Sequence, residues 1–282
     1  MKTNSLFEVF VNSILGKRYY TTFVAPKIET NRKSWIKNKK ENYFMLSFDI
    51  DEQKDIKNLP WLLDLLNKYK IKAIFAIIGK HVEQHPEIYQ QIINNGHELI
   101  NHTYSHPDNP EFNPNKHFHT LPNEEKFLEI EKCHRVVKKI LNYEMTGFRV
   151  PHFGYQFTEE IYPLLKKLNY SYSSSTVAIR TKTAGFPYKH DNIWEFPITC
   201  CQDHPFCIFD TSHAFRAKIV SHTSKEYIKS FEQLLKSNKN SFINIYQDPQ
   251  DLKKFNYEKM LILLKKYKLN TVTYQQLTRL LK

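Results

Sequence analysis

Missing from this chain is any apolar run near the roughly 20 residues that a membrane-spanning helix needs. Nor does its start read as a secretory signal: SLFEVFVNSIL is broken by Glu8, Asn12 and Ser13, and no small-residue cleavage site follows. A cytoplasmic location is therefore expected. Cysteine is sparse, with Cys133, Cys200, Cys201 and Cys207 and no C-x-x-C spacing among them. That spacing excludes a zinc knuckle or dithiol redox motif, and adjacent cysteines fit poorly around one tetrahedral ion. Reduced thiols are the expectation. Glycine is scarcer still for the length, six in 282 residues beside abundant Asn, Lys and Ile, which points to a biased genome as much as to function. No internal repeat stands out.

What is present is ordinary globular material, 41% hydrophobic and 25% charged, long enough for one large α/β domain or two smaller ones. The formal charge of +12 favours anionic partners, discounted for the same compositional bias. Residues 1–42 stand apart. Phe7, Phe10, Val11 and Ile14 recur at helical spacing, and the stretch Arg32 to Lys40 is strongly basic. A short amphipathic helix and a basic linker are expected there, docked on the rest of the chain or lying on a membrane surface. From Tyr43 onward, short apolar runs such as YFMLSF, KAIFAIIG and SFINIY alternate with amphipathic patterns such as NLPWLLDLLNKYK and NEEKFLEIEKCHRVVKKILN. Strand–helix alternation of this kind predicts a parallel sheet, open or closed into a barrel. Residues 104–122, 174–192 and 199–216 read as irregular loops.

Two acids, Asp49 and Asp51, close the first apolar run. Strand side chains at i and i+2 share a face, so two like charges project together and repel unless something positive lies between them. A solvated turn would account for the acids alone. His102 and His106, however, stand where another strand, HELIN, runs out, on the same expected rim. Two imidazoles and a carboxylate make a three-ligand set for a divalent ion that keeps a position open for water, and the second carboxylate is then free to take a proton. A third strand end, GFRVPHFGY, supplies Arg149 to hold that free carboxylate, with Pro151 and Gly154 shaping a loop whose N–H groups face an oxyanion.

These stretches resemble the polysaccharide deacetylases of carbohydrate esterase family four, the NodB-homology group. SFDID is similar to that family's acid-pair motif, HTYSH to its H-[ST]-x-x-H motif and RVP to its R-x-P motif, within a likeness running from about Tyr43 to Leu281. The resemblance implies a distorted (β/α) barrel of about seven units, filling residues 43–282, with residues 1–42 as an extension. It implies one divalent ion, usually zinc, and removal of an acetyl group from an N-acetylated sugar. Carried over residue by residue, Asp49 is the base, Arg149 its orienting partner, and Asp51, His102 and His106 the metal ligands. His152, Tyr155 and Trp194 are expected to face the sugar. The histidine that protonates the leaving amine in the family's fifth motif is replaced: FINIYQDPQD has Asp248 there. Asp248 itself, or His152 or His222 reaching in, would supply the proton. The alternatives are hydrolysis of non-sugar amide or ureide C–N bonds and glycan binding without turnover. A cytoplasmic enzyme would meet a precursor sugar, phosphorylated or lipid-linked, with peripheral membrane contact through residues 1–42. No nucleic-acid partner is expected.

Overall fold

The computed structural model describes residues 6–36, 42–153, 158–218, 220–237 and 242–281. Its strands are β1 (Tyr43–Ile50), β2 (Ile74–Ile77), β3 (Glu98–Asn101), β4 (Gly147–Phe148), β5 (Tyr172–Ser173), β6 (Tyr188–His190), β7 (Ile193–Glu195), β8 (Phe242–Gln247) and β9 (Asn270–Thr271). They form one sheet in the order β6-β7-β5-β4-β3-β2-β1-β8, with β9 on the start of β1. All pairings are parallel except the β6–β7 hairpin. The chain beyond β7 carries the wall round to β8: Thr199 N donates to Asn244 O (2.8 Å), and Asn244 N to Thr199 Oγ1 (3.0 Å). The result is a distorted (β/α) barrel with seven parallel strands in its wall, β1 lying between β2 and β8.

Period-two alternation sorts β1, every residue of which is buried. Phe44, Leu46, Phe48 and Ile50 join the outer layer beneath the helices, with Leu59, Leu62 and Leu66 of the helix Gln53–Tyr69. Tyr43 and Met45 fill the barrel with Ile74, Ala76, Ile100 and Phe242. Asp49 continues the inner row, so hydrophobic patterning alone aims a carboxylate into the barrel mouth. Burying a large apolar side chain in such layers contributes about 1.5–3 kcal/mol each.

The helical patterns appear where periodicity placed them, at Asn123–Leu141, Ser224–Ser237 and Tyr257–Lys266 among others. Three regions differ from the reading. Residues 174–192 contain β6, residues 199–216 contain a helix, Thr211–Arg216, and the described part of the basic linker is helical to Ile36. In that last segment Tyr20, Val24 and Ile28 recur every fourth residue and pack around Cys200, a period masked in sequence by the exposed Phe23. Val11 is fully buried, whereas Phe7, Phe10 and Ile14 are exposed, so the four do not share one face. Residues 37–40 of the basic stretch lie outside the described residues. Among the described residues no helix is long and apolar enough to cross a membrane.

Candidate active site

The ends of β1, β3 and β4 meet at one cleft of about 170 Å³. β1 delivers Asp49 and then Asp51. The Asp51 backbone carbonyl is pinned by Asn109 Nδ2 (2.6 Å) and faces His81 Nε2 (3.2 Å). After β3 the chain turns sharply. Thr103 N donates to Asn101 Oδ1 (2.8 Å), Thr103 Oγ1 accepts from His106 N (3.1 Å), and Glu129 accepts from the Tyr104 and Ser105 amides. This turn brings His102 and His106 round to the same point, their rings 4.8 Å apart. It also holds Thr103, His106 and Asp108 at positive φ (72°, 47° and 88°), as does the β4 loop at His152 (58°). Such backbone costs on the order of 1–3 kcal/mol per non-glycine residue and persists only where the surroundings enforce it.

The polar atoms converge without hydrogen-bonding one another. Asp51 Oδ1 lies 3.4 Å from His102 Nε2 and 3.7 Å from His106 Nε2. His102 Nδ1 is 2.8 Å from the Arg149 carbonyl, which can only accept, so Nδ1 carries the proton and Nε2 presents a lone pair inward. Burial presses His102 down to about 4, Asp49 opposing, and drives His106 well below the ordinary range, so both rings are neutral. Burial, then the charge of Asp49, pushes the Asp51 carboxyl well above the usual carboxylate range. Asp51 Oδ1 is buried and has no hydrogen-bond partner among the described residues. Two imidazole lone pairs and one carboxylate oxygen aimed at a single point repel unless a cation lies there. This donor set fits a divalent ion, with room on the cleft side for a further ligand.

Asp49 is held differently. Its Oδ1 accepts from Arg149 Nη1 at 2.6 Å, while its Oδ2 stands 3.9 Å from His102 Nε2. Arg149 is fully buried and anchored on three further bonds: Nε donates to Ser174 O (3.2 Å), and Nη2 to Ser174 Oγ (3.1 Å) and to Tyr274 OH (2.7 Å). A buried guanidinium so clamped cannot drift, and it holds the carboxylate of Asp49 in one orientation.

Asp248 also lines the cleft, but Arg216 contacts its carboxylate and reaches Asp251 at 3.1 Å through Nε. Asp248 is thus tied into an ion pair at the cleft wall and does not stand free. Sequence reasoning missed Arg216, because a lone arginine on an unforeseen helix carries no signal. His152 is in the cleft, its ring 4.8 Å from His106 and its Nε2 3.6 Å from Asp108 Oδ2. His222 is elsewhere, beside Cys201. Trp194 is not brought to the cleft either. It stacks on Phe196, which stacks on Phe242 at the start of β8, so it belongs to the end of the barrel where the strands begin. Tyr155 and Gly154 lie outside the described residues.

Residues 36–173 match the family model of the polysaccharide deacetylases. Over 107 residues (38% of this chain, 36% of the relative) the chain is 32% identical to a peptidoglycan-N-acetylglucosamine deacetylase of Bacillus cereus. Over 49 residues (17% of this chain, 22% of the relative) it is 41% identical to a chitooligosaccharide deacetylase of a Bradyrhizobium species. The matches thus span about a third or less of those curated relatives. A Mycobacterium smegmatis protein classed with the polysaccharide deacetylases superposes with a TM-score of 0.69 at 14% identity, over 86% of this chain and 90% of that one. Over residues 36–173 the chain thus matches a polysaccharide deacetylase domain of the NodB-homology type.

Proposed function

We propose that this domain removes the acetyl group from an N-acetylated sugar of a glycan or glycan precursor by metal-assisted hydrolysis. One observation carries the reading: a carboxylate, Asp49, is fixed by Arg149 at 2.6 Å beside the Asp51, His102 and His106 donors without being one of them. Those three residues would hold the ion. When bound, a divalent ion there polarises the acetyl carbonyl and makes water more acidic. Asp49 takes the proton of the attacking water, and Arg149 keeps its carboxylate aimed. The new C–O bond forms at the acetyl carbon, the C–N bond breaks, and the amine leaves with the proton that Asp49 took from the water, relayed through the His152 ring. Burial lowers the His152 pKa, and Asp108 partly restores it. Arg216 and Asp248, paired at the wall, give the sugar hydroxyls a charged, hydrogen-bonding surface.

The second reading, glycan binding without turnover, draws on the same Arg216–Asp248 pair, which stands where the family resemblance implies a histidine. Acetate release separates the two. N-acetylglucosamine oligomers and peptidoglycan fragments should yield acetate, chelation should abolish it, and added zinc should restore it. An allantoin-like ureide should not react. Ion binding with no acetate from any acetylated glycan would establish the second reading instead.

A further inference from the structure

A second cluster of metal-ligating side chains stands away from the cleft, in the chain between β7 and the helix Ser224–Ser237. Cys201 Sγ lies 3.4 Å from His222 Nε2, and His204 Nδ1 lies 2.9 Å from His213 Nε2. The ring of His204 is 4.7 Å from that of His222, and the His213 and His222 rings are 5.4 Å apart. One donor atom from each of the four residues falls within 4.8 Å of every other. Tetrahedral zinc, with bonds of about 2.0–2.1 Å to nitrogen and 2.3 Å to sulfur, sets its ligand atoms roughly 3.3–3.8 Å apart. The observed separations bracket that edge.

The surroundings are those of ligands already oriented. Cys201 is fully buried and His222 nearly so. Asp210 Oδ1 accepts from His213 N (2.5 Å), and Cys207 N donates to His204 O (2.8 Å), so the loop is folded around the cluster.

We propose that Cys201, His204, His213 and His222 bind a second ion, a structural zinc closed by four protein ligands, separate from the Asp51, His102 and His106 site. One thiolate and three imidazoles form a borderline-soft set that prefers zinc to magnesium, calcium or manganese. None of the four lines the catalytic cleft, and four protein ligands leave no position for substrate. The ion's effect on the cleft is indirect. The helix Thr211–Arg216 carries His213 in the cluster, while its Arg216 and Ser212 line the cleft. Thr211 Oγ1 also accepts from Asp248 N (2.8 Å). Zinc at the cluster therefore staples the wall that presents Arg216 and Asp248.

Cobalt substitution tests this on the full chain. Apoprotein titrated with Co²⁺ should develop a thiolate-to-cobalt charge-transfer band with intense tetrahedral ligand-field bands. Both should persist in His102→Ala and vanish in Cys201→Ser. Elemental analysis should find about two zinc ions per wild-type chain and about one in each variant. Wild-type protein that shows no thiolate–cobalt band overturns the proposal whatever the variants do. So does a single zinc that His102→Ala removes and Cys201→Ser retains. If Cys201→Ser fails to fold, His222→Gln replaces it under the same readout. Loss of acetate release with both bands intact would count against the cleft chemistry and leave the second site standing.

Discussion

The two candidate metal centres use histidine in opposite ways. At the cleft, His102 and His106 grow out of a strand end and a strained turn, and the hydrogen-bonded barrel wall sets their geometry before any ion arrives. In the 201–222 segment the four donors are spread over loops and a six-residue helix, with little sheet to position them. The cleft set includes a carboxylate and has an open side, beside which Asp49 waits on Arg149. The loop set includes a thiol and is closed on itself. A barrel rim is rigid enough to hold an incomplete coordination shell, and incompleteness is what chemistry needs. A loop lacks that rigidity, and a complete shell supplies it.

Breaking the cleft alone should give the largest effect. Asp49→Asn should cut acetate release by about 10²–10⁴-fold while both ions stay bound, the usual contribution of a positioned base. Loss of the cleft ion in that variant, by elemental analysis, would mean that base and ligand have been interchanged. His152→Gln should be milder and selective. It should lower turnover of N-acetyl sugars by about 10²-fold and barely affect aryl acetate esters, whose leaving group needs little protonation. Equal losses on both substrates would remove His152 from the proton-donor role.

The smallest effect uses a histidine belonging to neither centre. His97 is buried and accepts from Ala73 N at 3.2 Å, and burial lowers it to about 4. Between that value and the ordinary 6.5 the unfolded chain binds a proton that the folded chain refuses. Stability is therefore fully present above about pH 6.5 and is lost as pH falls towards 4. The loss from this residue is about 3 kcal/mol at most. Denaturant unfolding of chelated protein at pH 7 and pH 4.5 measures it, and His97→Gln should flatten the slope. An unchanged slope would assign the acid sensitivity to the clustered histidines.

The two centres were not equally legible. Asp49, Asp51, His102 and His106 could be found because each pair is local, and the strand ends that carry them follow from apolar runs. The barrel followed from strand–helix alternation for the same reason. Arg149's clamp was half visible, since its partners Ser174 and Tyr274 sit 25 and 125 residues away. The loop cluster gives no cysteine-spacing signal, because C-x2-H-x8-H-x8-H contains one ligating cysteine. Cys200, its neighbour, faces the other way, toward Tyr20 and Val24. Trp194 was placed by nearness in sequence to a motif, whereas strand register carried it to the far end of the barrel. Arg216 depends on a helix that residues 199–216 did not announce.

Tyr274 hydrogen-bonds Arg149, Ser174 and Asn244 from the helix Tyr274–Leu280. Synthesis runs from N to C, so the three cleft donors leave the ribosome long before the tyrosine that completes the clamp on their neighbouring base. A nascent chain can thus gather Asp51, His102 and His106 while Arg149 still lacks one of its anchors. The clamp on Asp49 is therefore completed last, when the helix Tyr274–Leu280 docks. A ribosome-stalled series ending on either side of Tyr274 would show the order directly, with ion uptake first and turnover last.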